Sequence, residues 1–398
     1  MTVLAGVILR LIFWSSFGAM VYTYFLYPLL LMLLSYLVSW QRKRKNSARL
    51  DWPVTEQVLP RVTMVISAYN EQAILPEKIA NCRELDYPGD KISFLIGSDG
   101  SNDGTFGILQ KITDPRFRVL HSRMRRGKVQ MLNHMMKLVT GDIVVFSDAN
   151  TMYRPDAVRE LVKLFQAKKV GVVIGKLELS VPDDDVDACR TESLYWRYEN
   201  RIKQWESALG AVPTINGGIF AIRRELFQEL PPTAVTEDQV LGMKIMTGGY
   251  RCLFAKEARA CETVSSWKGE LQRRIRISAG NFQSLFLVPA ILHPRLGWVS
   301  FAFISHKLLR WLTPLLLVGM LSANLVLAGE LFYGSTLMLQ GLFYACGLLG
   351  VMLPKLTGIL KVLSVPKYFL AMNAAILIGL GRFLAGRQRT TWTKASRL

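Results

Sequence analysis

Residues 61–105 read RVTMVISAYNEQAILPEKIANCRELDYPGDKISFLIGSDGSNDGT, and this stretch indicates an α/β fold. The apolar run Arg61–Ser67 predicts a buried strand, Leu75–Leu85 predicts a helix, and Ile92–Gly97 predicts a second strand. Strands and helices that alternate at this spacing form parallel sheets covered on both faces. Ligands of such sheets bind at the carboxyl ends of the strands, which is where Asp99 is expected.

The same alternation continues along the chain. Arg118–His121 predicts a third strand, Lys128–Leu138 a helix, and Asp142–Phe146 a fourth strand, directly followed by Asp148. A dinucleotide-binding dehydrogenase has a similar pattern, but it needs a GxGxxG turn after its first strand. That turn is missing from the sequence after Ser67, which argues against a dehydrogenase.

The composition indicates a membrane protein. The chain has 398 residues, of which 51% are hydrophobic, and a formal net charge of +19. Such a charge is typical of proteins that contact nucleic acid, anionic membranes or polyanionic substrates, and the long apolar segments favour membrane over nucleic acid. Leu11–Trp40 is long enough to cross a bilayer, which takes about 20 residues. The basic run Arg42–Lys45 after it predicts that the following chain is cytoplasmic.

Apolar segments return near the end of the chain. Phe282–Ile304 is interrupted by prolines and predicts helices at the membrane interface. Three longer stretches follow it: Leu308–Leu327, Thr336–Leu353 and Pro366–Leu384. Three full spans would leave the C-terminus outside, whereas its basic residues (Arg387, Arg389, Lys394 and Arg397) predict the inside. We therefore expect that Pro366–Leu384 does not span fully.

Four regions are expected from these patterns, in a protein of the cell (inner) membrane. They are an N-terminal transmembrane helix with a basic cytoplasmic flank (1–45), a cytoplasmic α/β domain (46–281), interfacial helices (282–307) and a C-terminal transmembrane region (308–398).

An ordered series of acidic sites lies within the α/β region. It consists of Asp99, the run Asp148–Asn150, and the pair Glu237 and Asp238. One carboxylate can contact a nucleoside, a second can hold a divalent cation, and a third can take a proton from an attacking hydroxyl. The series therefore indicates an enzyme that handles a metal-bound diphosphate.

Five motifs in this region resemble those of family-2 glycosyltransferases, and most closely those of the membrane-embedded cellulose, hyaluronan and poly-N-acetylglucosamine synthases. The motifs are Ser67–Glu71 (SAYNE), Ser98–Thr105 (SDGSNDGT), Gly127-Lys128, Asp148–Asn150 (DAN) and Thr236–Asp238 (TED). The resemblance implies a glycosyltransferase A-type, nucleotide-sugar-binding α/β domain with a mixed, mostly parallel sheet, flanked by transmembrane and interfacial helices.

The resemblance also implies a role for each motif. Tyr69, Glu71 and Asp99 are expected to hold the uridine of a UDP-sugar, and Lys128 and Arg276 to contact its diphosphate. Asp148 and Asn150 stand where the family usually has Asp-x-Asp, and are expected to bind Mg²⁺ or Mn²⁺. Because Asn150 replaces a carboxylate, metal binding is expected to be weakened, and Asn150→Asp is expected to tighten it.

The catalytic and acceptor residues follow from the same resemblance. Asp238 corresponds to the base that deprotonates the acceptor hydroxyl, with Glu237 as the alternative, and a single displacement inverts the sugar's configuration. Asn216, Gly217 and Gly218 are expected beside the acceptor, because glycine lets the backbone approach it closely.

One departure from the family leaves the product open. Arg273–Ile277 (RRIRI) stands where the synthases have Gln-x-x-Arg-Trp, so Ile277 replaces a tryptophan that lines the acceptor site of processive members. The expected product is a polysaccharide, and either an oligomer or an export subunit completes its channel or the product is of limited length. The alternatives are single-sugar transfer to a lipid and a non-catalytic membrane scaffold.

Overall fold

The structure is a computed structural model that describes residues 3–44, 59–180, 186–263, 267–353 and 360–388. Lys45, the linker to residue 58 and the basic residues Arg389, Lys394 and Arg397 lie outside the described residues. The described residues form one eight-stranded sheet. Its strands are β1 (Val62–Ala68), β2 (Ile92–Asp99), β3 (Phe117–Ser122), β4 (Ile143–Asp148), β5 (Thr151–Tyr153), β6 (Val170–Ser180), β7 (Phe220–Arg223) and β8 (Arg251–Thr263).

The sheet has a parallel half and a mixed half. Its strand order is β3-β2-β1-β4-β7-β6-β8-β5, and β3, β2, β1 and β4 are all parallel. In this half Ser67 is paired with both Gly97 and Asp148, so the carboxyl ends of β1, β2 and β4 lie side by side. Strand β7 is antiparallel to β4 and β6, whereas β6 and β8 are parallel. The expected mixed, mostly parallel sheet is confirmed.

Helices cover both faces of the sheet, as expected for a parallel core. In the α/β region they are α3 (Leu75–Arg83), α4 (Thr105–Gln110), α5 (Lys128–Met136), α6 (Ala157–Lys163), α7 (Val186–Ala208) and α8 (Glu237–Thr247). Alternate residues of β1 face opposite layers: Met64 packs in a core that includes Leu75 of α3, and Val65 in one that includes Leu132 of α5. Each fully buried aliphatic side chain stabilises the fold by about 1.5–3 kcal/mol.

The remaining helices flank this domain. They are α1 (Val3–Val21) and α2 (Tyr27–Arg44) before it, and α9 (Trp267–Leu287), α10 (Trp298–Phe303), α11 (Leu309–Leu327), α12 (Leu331–Met352) and α13 (Ser364–Leu384) after it. Short π-helical segments, Tyr22–Leu26 and Ile304–Leu308, join α1 to α2 and α10 to α11. The first ends two residues before Pro28, and proline is a common cause of helix kinks.

Four helical stretches in the described part of the chain are long and apolar enough to cross a membrane: Val3–Gln41, Trp298–Leu327, Leu331–Met352 and Ser364–Leu384. The third expected apolar stretch thus forms one continuous helix, and whether it spans fully stays a prediction. The expected region boundaries at 281 and 307 fall inside α9 and inside the helical stretch 298–327.

Helix α9 joins the α/β domain to the apolar helices. It begins beside the sheet and packs closely along α13, where a Cβ added at Gly379 would lie 2.6 Å from Cβ of Ser278. Because α9 also carries Arg276, this close packing places one of the expected diphosphate residues next to the apolar helices.

Candidate active site

All twelve site residues predicted from the sequence line one cavity of about 910 Å³ at the carboxyl ends of β1, β2 and β4. They are Tyr69, Glu71, Asp99, Lys128, Asp148, Asn150, Asn216, Gly217, Gly218, Glu237, Asp238 and Arg276. The cavity continues to the apolar helices, where Tyr24, Arg310 and Phe369 line it. Ligand cavities commonly have about 300–1,000 Å³, so this one has room for a large ligand or for two.

Asp99 ends β2 and holds the loop before α5. Its two carboxylate oxygens accept the backbone N–H groups of Arg126 (2.7 Å) and Gly127 (2.8 Å). The loop passes so close to Gly100 that an added Cβ would lie 2.4 Å from the nitrogen of Arg125, and Gly100 has φ +65°. The aspartate therefore positions this loop on the cavity wall, in addition to any contact with a ligand.

Tyr69 and Glu71 follow β1 on the same wall. The guanidinium of Arg125 lies 3.8 Å from the ring centre of Tyr69, within cation–π range. Glu71 is buried, and its backbone N–H donates to Oγ1 of Thr105 at 2.8 Å. These contacts join the loop after β1 to the loops that follow β2 and β3.

Lys128 begins α5 and bridges two carboxylates. Its Nζ lies 2.7 Å from Oδ1 of Asp148 and 2.7 Å from Oε1 of Glu237. Burial alone would lower the pKa of Lys128, but the two carboxylates outweigh it and raise that pKa. Burial alone would likewise raise the pKa of Asp148, yet Lys128, with smaller contributions from Arg273 and Arg276, lowers it. Lys128 and Asp148 are therefore both charged at neutral pH.

Asp238 lies in the first turn of α8, beside this ion pair. Burial, and then the neighbouring Glu237 carboxylate, raise the pKa of Asp238 to about 7, although Lys128 opposes them. A Cβ added at Gly217 would lie 2.9 Å from Oδ2 of Asp238, so this position needs glycine. The predicted acceptor loop thus adjoins the predicted base, and a carboxylate with this pKa can accept a proton near neutral pH.

Asn150 contacts a residue that the sequence reasoning missed. Its Nδ2 donates to Oε1 of Glu262 at 2.9 Å, and Nη1 of Arg273 donates to the same oxygen at 3.2 Å. Oε2 of Glu262 is buried and has no hydrogen-bond partner among the described residues. A glutamate near the end of an apolar strand, just before an arginine-rich helix, was the available signal.

These oxygens bear on the predicted metal site. With Nδ2 committed to Glu262, Oδ1 of Asn150 is the atom left to bind a cation. Within the described ranges, no group of three or more His, Cys, Asp or Glu side chains is arranged to hold a metal. Asp148, Asn150 and Glu262 line the same cavity and offer side-chain oxygens, the type of donor that Mg²⁺ and Mn²⁺ prefer.

Helix α9 closes the cavity opposite the sheet. Arg276 lines the cavity, and its Nη1 donates to the backbone oxygen of Val235 at 3.3 Å. Ile277 and Gln272 line it too, so the position at which the synthases have tryptophan faces the same space.

Comparisons with known proteins agree with this geometry. Residues 63–231 match the model of the glycosyl transferase family 2. The chain is 26% identical over 246 residues to a probable glycosyltransferase, YdaM, of Bacillus subtilis (strain 168), covering 58% of this chain and 57% of that one. It is 26% identical over 233 residues to the poly-β-1,6-N-acetyl-D-glucosamine synthase of Staphylococcus aureus (strain COL), covering 57% of this chain and 56% of that one. The chain thus spans little more than half the length of these relatives.

Among solved structures, the fold is similar to that of the mannosyltransferase PcManGT from Pyrobaculum calidifontis, which was solved in complex with GDP-Man and Mn²⁺. The TM-score is 0.66 at 23% sequence identity, covering 96% of this chain and 99% of that one. The similarity confirms the glycosyltransferase A-type fold and includes the flanking apolar helices. The chain therefore contains a glycosyltransferase domain that matches glycosyl transferase family 2 over residues 63–231, and it is similar to the polysaccharide synthases of that family.

Proposed function

We propose that the protein transfers a sugar, with inversion, from a UDP-sugar to a saccharide acceptor at the cytoplasmic face of the cell membrane. The observation that carries this proposal is the position of Asp238. This carboxylate has a pKa of about 7 and lies beside the Lys128–Asp148 pair and against Gly217. A base is thereby held between a cationic diphosphate site and a glycine-rich acceptor loop.

The donor site is assigned to the sheet side of the cavity. Tyr69, Glu71 and Asp99 lie on the wall proposed for uridine, while Lys128 and Arg276 lie on the wall proposed for the diphosphate. The two carboxylate partners of Lys128 keep its ammonium group in the charged form. Since a diphosphate carries several negative charges, it would compete with these carboxylates for the ammonium group.

A divalent cation fits this site. Oε2 of Glu262, which is buried without a hydrogen-bond partner among the described residues, and the side-chain oxygen of Asn150 belong to residues that line the same cavity as Asp148, which supplies a carboxylate. These residues would hold Mg²⁺ or Mn²⁺. A bound cation would supply positive charge that makes the nucleoside diphosphate a better leaving group.

The transfer step follows from the position of the base. Asp238 takes the proton of the acceptor hydroxyl. The oxygen of that hydroxyl attacks the anomeric carbon of the sugar on the face opposite the diphosphate. The bond from that carbon to the diphosphate oxygen breaks, and UDP leaves with the electron pair. Lys128 and Arg276 stabilise the charge that develops on the diphosphate.

The test is UDP release by the purified full-length protein with UDP-glucose and UDP-N-acetylglucosamine, with GDP-mannose for comparison. Asp238→Asn keeps the shape of the side chain but removes the proton acceptor, so turnover should fall by about 10²–10⁴-fold while UDP binding persists. Asp90→Asn, at an exposed position, is the matched control. Normal turnover in Asp238→Asn, or release of GDP but not UDP, would refute the proposal.

A second candidate is transfer of a single sugar to a lipid-linked acceptor. It is favoured by Ile277, which lines the cavity where a processive synthase has an aromatic surface, and by the extension of the cavity to the apolar helices. Sizing the product decides between them, because a polymer and a singly extended lipid differ greatly in mass. If the product is a polymer, an oligomer or an export subunit that completes its channel stays a prediction.

A further inference from the structure

The membrane side of the cavity contains three buried or partly buried cations, which we call the cationic cluster: Lys203, Lys307 and Arg310. Lys203 lies on α7, whereas Lys307 and Arg310 lie on the helical stretch 298–327, which is apolar enough to cross a membrane. Ionisable side chains at such positions are costly and usually functional. None of the three is used by the transfer step described above.

Two carboxylates lie around the cluster, and each contacts groups of the protein. Glu206 accepts the hydroxyl of Tyr27 (2.9 Å) and faces His306 (2.7 Å), and it lies behind the cavity wall. Glu199 faces the cavity, where it pairs with Arg310 and contacts Lys307 at 3.5 Å. On the wall itself, three cations therefore stand against one carboxylate.

Arg310 keeps unused donors. It is only 7% exposed, and its Nε and Nη2 atoms are buried with no hydrogen-bond partner among the described residues. Its guanidinium lies 5.4 Å from the ring centres of both Tyr24 and Tyr198, which line the same part of the cavity. An unsatisfied buried guanidinium is unfavourable, and a phosphate matches its paired N–H groups better than any neutral group does.

The cluster connects the base to the apolar helices. Nζ of Lys203 donates to Oδ1 of Asn216 at 3.0 Å, and Asn216 precedes the glycine that lies against Asp238. At the other end, Phe369, Met372 and Ile376 of α13 give the cavity an apolar wall. A ligand that fills this space presents a hydroxyl to Asp238, negative charge to the cluster and an apolar chain to α13.

We infer that the membrane side of the cavity binds the phosphate or diphosphate of a lipid-linked saccharide acceptor. The inference rests on the proposed function, because it names the acceptor class for the same transfer. A neutral glycan would leave the Arg310 donors and the surplus charge of the cluster unmatched. The π-helical segments that border this end, joined by a 2.8 Å hydrogen bond between Tyr22 and Ser305, are a type of distortion frequent at functional sites.

The experiment measures binding to the purified full-length protein in detergent. The probes are a fifteen-carbon isoprenyl phosphate, the matching isoprenol, inorganic phosphate and a neutral chitin tetrasaccharide. Isoprenyl phosphate should bind at least about tenfold more tightly than each of the others, since hydrogen bonds to charged groups are the stronger kind. Arg310→Gln should remove most of that difference, whereas Arg295→Gln, an equal charge change at an exposed position, should not.

A second variant tests the inference in case Arg310→Gln fails to fold. Arg310→Gln leaves Glu199 without its guanidinium partner, which can destabilise the protein. Lys307→Gln preserves that pair and should weaken isoprenyl phosphate binding by several-fold. Equal binding of isoprenyl phosphate and isoprenol would overturn the inference, and so would a preference for the tetrasaccharide. Equal binding of inorganic phosphate and isoprenyl phosphate would also overturn it, because the site would then bind a free anion rather than a lipid.

Failure of this inference is distinguishable from failure of the proposed function. If UDP release depends on Asp238 but the protein does not discriminate isoprenyl phosphate from isoprenol, the transfer stands and the acceptor class is wrong. If isoprenyl phosphate binds but no nucleotide sugar is turned over, the lipid phosphate site stands and the proposed transfer is wrong.

Discussion

The two ends of the cavity are built in different ways. At the donor end, the chemical groups are placed by the ends of neighbouring strands or the first turns of helices, as with Asp99, Asp148 and Lys128. At the membrane end, they come from helices far apart in the sequence, as with Lys203 and Arg310. At the proposed donor end Lys128 lies between two carboxylates, whereas at the membrane end Arg310 pairs with Glu199 and still has two N–H donors without a partner among the described residues. The difference favours a preorganised site at the proposed donor end and a site at the membrane end that its ligand completes.

The sharpest test of the donor end is the packing of Gly217 against Asp238. Gly217→Ala would place a methyl group 2.9 Å from Oδ2 and displace the carboxylate. Turnover should fall by about 10²-fold, the typical effect of moving a catalytic group by about 1 Å. Gly107→Ala, where nothing lies within 4 Å of the added Cβ, is the control. Unchanged kcat in Gly217→Ala would show that Asp238 tolerates displacement and that the donor end is not rigid.

The pH dependence of turnover tests the same carboxylate. Asp238 must be deprotonated to act as the base, and its pKa is raised to about 7, so kcat should rise with pH up to about 7 and fall about tenfold per unit below it. The effect on stability has the opposite sign. A raised carboxyl pKa means that the folded state holds its proton more tightly, so this group's contribution to stability falls as pH rises from about 4 to 7. A profile without a transition near pH 7 would contradict the assignment.

The contact between Asn150 and Glu262 leads to an expectation opposite to the one from the sequence, and neither has been tested. Asn150→Asp alone is expected from the sequence to tighten Mn²⁺ binding, but it would bring a carboxylate to the 2.9 Å contact with Glu262. Like charges at that distance repel, so we expect Mn²⁺-dependent UDP binding to weaken by about tenfold. The double variant Asn150→Asp, Glu262→Gln exchanges the two groups and should restore binding.

Calorimetry of UDP binding with and without Mn²⁺ gives the interaction energy of this pair, with Glu262→Gln completing the cycle. Tighter binding in Asn150→Asp alone would mean that Glu262 does not govern position 150, and that the donor end is more adaptable than its packing implies.

The smallest expected effect concerns the membrane end. Tyr22→Phe removes the 2.8 Å hydrogen bond to Ser305 between the two π-helical segments. One such bond contributes about 0.5–1.5 kcal/mol, so the Tm should fall by about 1–3 °C while UDP binding is unchanged. Tyr36→Phe, at a hydroxyl that is exposed in the structure, is the control. A large loss of UDP binding in Tyr22→Phe would show that the two ends are coupled.

Most of the parallel half of the sheet was predictable. The expected strands agree with β1, β2, β3 and β4 to within about two residues at each end, because buried parallel strands are short continuous apolar runs bounded by loops. The region boundaries were less predictable, since α9 and the stretch 298–327 run across them without a break in their apolar pattern. Hydrophobicity identifies an apolar helix but does not say where one packing environment ends and the next begins.

The sequence by itself determined the fold class, the resemblance to family-2 glycosyltransferases and twelve of the residues that line the cavity, because motif residues next to strand ends must meet at one edge of a parallel sheet. Only the tertiary structure decided which of them pair. It placed Lys128 between Asp148 and Glu237, put Glu262 against Asn150 across the β5–β8 pairing, and brought Arg310 to the cavity. Those ion pairs and that hydrogen bond join residues up to 112 positions apart, so they depend on helix and strand packing that no local pattern encodes.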